Sequence, residues 1–108
     1  RGDFVYTSGH AGFMPETGEA PANIQAQTVQ ALENLKEVLE AAGTTLEHVV
    51  KVNVYLADIE DFAAMNEVYC RYFPHERPAR STVGAPLVRS DLLIEIEMVA
   101  ILPSNGAQ

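Results

Sequence analysis

Between Ala22 and Ala42 apolar positions recur at steps of three and four: Ile24, Thr28, Leu32, Leu35, Leu39 and Ala42, with Val29 and Val38 widening the stripe. Gln25, Gln30, Glu33, Lys36, Glu37 and Glu40 fill the other face, so the spacing predicts an amphipathic helix, with Gly43 at its C′ position. A second helical stripe, Phe62, Met65, Tyr69 and Phe73, follows Asp58 and Asp61 as candidate caps and is stopped by Pro74. Elsewhere the period is two. Asp3 to Ser8 reads as a strand that Gly9-His-Ala-Gly12 ends or bends. From Val49 the pattern places Val50, Val52, Val54 and Leu56 on one side and Val49, Lys51, Asn53 and Tyr55 on the other. Arg80 to Gly84 is a short strand. Leu92 to Leu102 is a long one, with Leu92, Ile94, Ile96, Met98, Ala100 and Leu102 on a fully apolar face. Thr44-Thr45-Leu46-Glu47 has capping-box spacing, and Gly18 closes a loop that suits positive φ.

The order strand, helix, strand, helix, strand, strand predicts an α/β (α+β) fold: a mixed sheet with at least one βαβ crossover and two helices on one face. The other sheet face then carries Val49, Tyr55, Val99 and Ile101, too apolar to leave wet. A second copy of the chain is the simplest cover.

Length adds one domain, residues 1–108, to this picture. At 47% hydrophobic and 20% charged residues the composition is that of an ordinary globular protein, which excludes a disordered or collagen-like chain. The long apolar strand is too short to span a bilayer. Seven basic against fifteen acidic residues give a formal charge of −8, which argues against nucleic acid as a partner; Arg71, Arg77, Arg80 and Arg89 form only a loose basic stretch. A single cysteine, Cys70, forbids an internal disulfide and fits the reducing cytoplasm, and a buried small hydrophobe is its expected role. The chain opens at Arg1 without Met, directly before a strand, so an N-terminal segment is expected to be missing. The polar stretch from Pro103 is expected to fray.

The chemistry-bearing residues are few. His10, His48 and His75 lack metal-ligand spacing, no phosphate loop or nucleophile elbow is present, and Cys70 sits mid-helix among aromatics. Two features remain. Arg80-Ser81-Thr82 opens a strand, where a guanidinium fork and neighbouring N–H groups suit a carboxylate; a solvated surface arginine is the alternative. Glu95 and Glu97 share one strand face, suited to proton transfer or to an ion pair holding the oligomer, with Arg80 or Lys51 as the candidate partner.

Pro78-Ala-Arg-Ser-Thr-Val83, followed by Leu93-Ile-Glu-Ile-Glu-Met-Val-Ala100, closely resembles the C-terminal signature of the reactive-intermediate deaminases, the RidA/YjgF family. Val5-Tyr-Thr-Ser-Gly9, Pro15-Glu-Thr-Gly-Glu19, Leu32-Glu-Asn-Leu35, Ala41-Ala-Gly43, Val50-Lys-Val-Asn-Val-Tyr-Leu56, Asp61-Phe62 and Met65-Asn-Glu-Val-Tyr69 resemble further family segments in order. The resemblance implies a chorismate-mutase-like fold, a homotrimer around a central barrel with clefts between subunits, and no metal or organic cofactor. The activity it implies is hydrolysis of enamines and imines, such as 2-aminoacrylate and 2-iminopropanoate, to 2-oxo acids and ammonia. By this resemblance Arg80 holds the substrate carboxylate, Glu95 attends the catalytic water, Asn66 lies near the cleft, and Ser8 and Gly9 belong to the strand whose end lines it. Thr82 stands where many members carry Cys, and Gly84 to Asp91 departs from the commoner loop pattern. A family tyrosine lies upstream of the segments matched. Two other functions fit the same residues: a non-catalytic trimer that binds small carboxylates as a sensor or regulator, and a translation inhibitor or endoribonuclease, which the acidic balance disfavours.

Overall fold

The computed structural model describes residues 2–103, so the polar tail beyond Pro103, expected to fray, lies outside the described residues, as does Arg1. Five strands form one sheet: β1 (Phe4–Tyr6), β2 (His10–Ala11), β3 (Val49–Leu56), β4 (Ala79–Gly84) and β5 (Ile94–Ile101). Their order is β1-β5-β3-β4, with β2 also pairing β5. β3 and β4 run parallel and the other pairs antiparallel, so the sheet is mixed as expected. The helices α1 (Ile24–Ala41) and α2 (Phe62–Tyr72) pack together on one face. Between them and the sheet lie Leu32, Leu35, Leu39, Met65, Tyr69, Val52, Val54, Ile94, Ile96 and Met98, all buried. No helix among the described residues is long and apolar enough to cross a membrane.

Local chemistry explains most boundaries. The Asn23 side chain accepts the Ala26 N–H at 2.8 Å and starts α1 two residues later than its stripe suggests. Gly43 takes φ of 97° behind it, and Gly18 takes 76° in its loop. Ala42, expected on the buried stripe, is exposed, because the chain has already left the helix there. The capping box does not form. Thr45 precedes a single 3₁₀ turn (Leu46–His48) without a side-chain cap bond, its hydroxyl pairing with His48 Nδ1. Thr44 instead is buried and donates to the Ile101 carbonyl at 2.7 Å. Asp58 caps a 3₁₀ turn (Ile59–Asp61) through Glu60 N–H, and Asp61 caps nothing with its side chain. Phe62, expected in the core, is 37% exposed.

Two irregularities shift side chains between faces. A bulge in β3 between Val49 and Lys51 turns Val49 inward and leaves Val50 exposed, the reverse of strict alternation. The first strand is also broken. Tyr6 pairs with Val99 and His10 with Ile96, so three residues (7–9) oppose two (97–98). Thr7 closes the gap: its N–H donates to the Met98 carbonyl and its hydroxyl accepts the Met98 N–H.

Gln27 is the one α1 amide that reaches the core wall, at 1% exposure. Its Nε2 donates to the carbonyls of Pro21 and Asp91, and its Oε1 accepts the Leu93 N–H, all within 2.9 Å. One side chain thus ties both long loops to the start of β5. Gln27→Leu leaves three buried backbone groups unmatched, at about 2–4 kcal/mol. Thermal unfolding of this variant is expected to fall by about 10 °C or more against the parent.

Candidate functional site

Arg80 pairs in register with Val52, so its side chain lies on the helix-covered face. There it meets one stripe of α2. Its Nη1 donates to Asn66 Oδ1 at 2.6 Å, and its guanidinium carbon lies 4.5 Å from the Tyr69 ring centroid and 5.3 Å from that of Phe62. Positions 62, 66 and 69 share a helix face, which is why one helix supplies all three contacts. The side chain is half-buried, yet the ion pairs among the described residues, Arg71–Glu67 and Arg89–Asp91, do not include it. A hollow of about 270 Å³ opens beside it, lined by Asn66, Tyr69, Cys70, Arg77, Pro78 and Arg80. Cys70 is therefore not the buried hydrophobe expected; it is half-exposed at this hollow.

The Tyr69 hydroxyl is buried with no hydrogen-bond partner among the described residues, as is that of Thr82, two residues beyond Arg80 on the same strand face. Burial pushes the Tyr69 phenol up to about 12, against the opposing pull of Arg80. Tyr72, partly buried and donating to Glu33 Oε2 at 2.7 Å, is also raised to about 12. An unfolded chain ionises these phenols near 10. Between these values the unfolded state sheds protons that the native state keeps, so stability falls as pH rises from about 10 to 12. Denaturant midpoints across that range are expected to drop, and Tyr72→Phe to flatten part of the decline.

Glu95 and Glu97 lie on the opposite, uncovered face, across from Tyr55 and Asn53. Asn53 Nδ2 donates to Glu97 Oε2 at 3.0 Å. Neither expected cation reaches these carboxylates: Lys51 donates to Ser81 Oγ at 3.0 Å, and Arg80 is on the other face. Partial burial, then the Glu97 and Glu95 charges, hold the Tyr55 phenol above its ordinary range. Ala85, Pro86, Leu87 and Val88 complete a cavity of about 290 Å³ over this group. Ser8 and Gly9, matched to a strand end, fall in the break between β1 and β2. There Ser8 offers its carbonyl to His10 Nδ1 at 3.0 Å, and a Cβ on Gly9 would fall on Glu95 Oε2. Glycine at this point is what lets the carboxylate lie against the backbone.

The expected residues thus form two groups. Asn66, Arg80 and Thr82 belong to the α2–β4 side, and Gly9 and Glu95 to the bare sheet face. Within one chain the sheet itself separates them, and β3 lies between β4 and β5.

Residues 1–102 match the family model described as Endoribonuclease L-PSP. The chain belongs to this family, the RidA/YjgF proteins. A RutC family protein of Pyrococcus horikoshii is 49% identical over 100 residues, covering 92% of this chain and 79% of the relative. TdcF of Escherichia coli K12, which bears the provisional name reactive intermediate deaminase, is 39% identical over 93% of this chain and 80% of its own. The crystal structure of E. coli TdcF with bound serine superposes with a TM-score of 0.88 at 38% identity, covering 94% of this chain and 83% of that one. RidA from an Antarctic Psychrobacter gives 0.89 at 41% identity over the same shares. The mixed sheet with two helices on one face is accordingly the RidA-type fold. Within it, Phe62 and Tyr69 are the contacts of Arg80 that sequence reasoning missed. Their spacing about Asn66 was visible, but aromatics on a helical stripe read first as core.

Proposed function

We propose that this RidA-family chain hydrolyses reactive enamines and imines of the 2-aminoacrylate/2-iminopropanoate type to 2-oxo acids and ammonia, without a cofactor. One observation carries the reading. Arg80 is a half-buried guanidinium held by a neutral amide and two aromatic rings, with no carboxylate against it among the described residues. A cation so placed is completed by an anionic ligand, and its planar fork fits a carboxylate.

The two groups become one site when two copies meet, Arg80 from one and Glu95 from another, as in a homotrimer with sites between subunits. The bare sheet face supports this. Phe4, Tyr6, Val83 and Ile101 on it are all at least 37% exposed, and they call for cover by further copies. The imine carbon is already electrophilic, so the protein's work is to hold, orient and move protons. Arg80 grips the carboxylate, with Asn66 fixing the guanidinium and Thr82 beside it. Glu95, seated at Gly9 next to Ser8, takes a proton from water as the oxygen bonds to carbon. From the iminium form the C=N electron pair moves onto nitrogen in that step. Glu95 then returns the proton to the amine, the C–N bond breaks as the hydroxyl oxygen's lone pair closes the carbonyl, and the hydroxyl proton leaves with the ammonia as ammonium, so the carboxylate ends as it began.

The test supplies 2-aminoacrylate from a lyase and follows pyruvate. The expected result is a rate above spontaneous hydrolysis that Arg80→Ala abolishes; an unaltered rate overturns the reading. The serine bound to TdcF favours a second reading, a trimer that binds small carboxylates without turnover. Calorimetry with 2-oxobutanoate beside the rate assay separates the two. The family's endoribonuclease description finds little footing here, because Arg71, Arg77 and Arg89 each bond locally and form no stripe along which a phosphate backbone would lie.

A further inference from the structure

The geometry points to Phe62 and Tyr69 as positioning residues that clamp the Arg80 guanidinium in the plane needed to receive a substrate carboxylate. The inference rests on the deaminase reading above. Arginine has a long side chain with several rotatable bonds, and ordering it at the moment of binding weakens affinity. Here the ordering is built in. Tyr69 lies against one region of the guanidinium at 4.5 Å, Phe62 approaches at 5.3 Å, and Asn66 takes one N–H of Nη1. The remaining N–H groups are left for the ligand. Two oddities of the fold find a use in this arrangement. Phe62 occupies a core-stripe position but is more than one-third exposed, and what its ring faces is Arg80. Tyr69 is 2% exposed with an unpartnered hydroxyl, so its ring rather than its oxygen is the part that serves Arg80.

Phe62 is the better probe, since a half-exposed side chain can be changed without opening the core. Phe62→Leu is expected to raise KM for the imino acid by about 3- to 10-fold with kcat nearly unchanged, the range expected of a partly desolvated cation–π contact. Phe62→Tyr, which keeps the ring, restores KM. The parallel pair Tyr69→Leu and Tyr69→Phe is expected to split the same way. A readout independent of substrate is the order parameter of the Arg80 Nε–Hε group from ¹⁵N relaxation, which drops in Phe62→Leu and returns in Phe62→Tyr. An order parameter and 2-oxobutanoate affinity equal to the parent's in Phe62→Leu overturn the clamp. A parent protein that neither binds 2-oxobutanoate nor turns over imine overturns the deaminase reading instead; the Arg80 order parameter then still decides whether the rings hold the guanidinium.

Discussion

Arg80→Ala lowers kcat/KM for 2-iminopropanoate by about a thousandfold or more, the loss expected when a bidentate, charge-assisted pair to a carboxylate is removed. The alanine leaves Asn66 facing an empty position and removes the guanidinium proposed to receive the substrate's acid group; Arg77, which also lines the hollow, donates to the Phe73 carbonyl instead. Arg80→Lys is a sharper version of the same experiment. It keeps the charge but loses the planar fork and the stacking on Tyr69, so it recovers only a minor part of the activity. Folding is not the confounder, because Arg80 is half-buried and makes no ion pair among the described residues; the melting temperature of either variant stays near the parent's. Initial rates above the spontaneous background, measured beside melting curves, decide the matter. If Arg80→Ala keeps the parent's rate, the carboxylate is held elsewhere and the proposal fails at its first step.

How far the site could be read from sequence depends on which property each residue contributes. Periodicity located α1, α2, β3 and β5, because the core-facing residues of each element recur with that element's own period. It failed where the backbone departs from a fixed period. Val49 changes face at a bulge that no alternation rule foresees, and Ser8–Gly9 falls in a break created by one surplus residue opposite β5. The stripe alone does not single out Asn23 as the α1 cap, and the capping box at Thr44 fails because the Ile101 carbonyl takes the Thr44 hydroxyl. Arg80 and Glu95 are candidates by residue type and by family resemblance. That they lie on opposite faces of one sheet was not legible, since it follows from the strand register, which sets Arg80 beside Val52 and Glu95 beside Tyr55, positions that alternate onto opposite faces of β3. The expected Glu95–Arg80 ion pair fails for this same reason. Gln27 was hidden too: a glutamine on a helix reads as surface, and only the two loops folding over it make it the buried bridge it is.

That opposition of faces carries the second large prediction. Glu95→Gln keeps the shape of the side chain and its seat against Gly9 but cannot accept water's proton, so kcat falls by about 10²- to 10⁴-fold while KM changes little. Alone, this result would not say which copy supplies the carboxylate. Mixing does. When Arg80→Ala and Glu95→Gln chains, each inactive, are co-expressed and assemble at random in equal amounts, half of the copies bring an intact arginine and half an intact glutamate. A site shared by neighbouring copies of a cyclic assembly then receives both in about one quarter of cases, and about a quarter of the parent activity returns. A site confined to one chain never receives both, and the mixture stays as inactive as its parts. The sheet of a single chain holds these two side chains on opposite faces with β3 between their strands, so recovery is the expected result. A dead mixture of well-folded, exchanging chains would overturn a site in which one copy supplies Arg80 and another supplies Glu95.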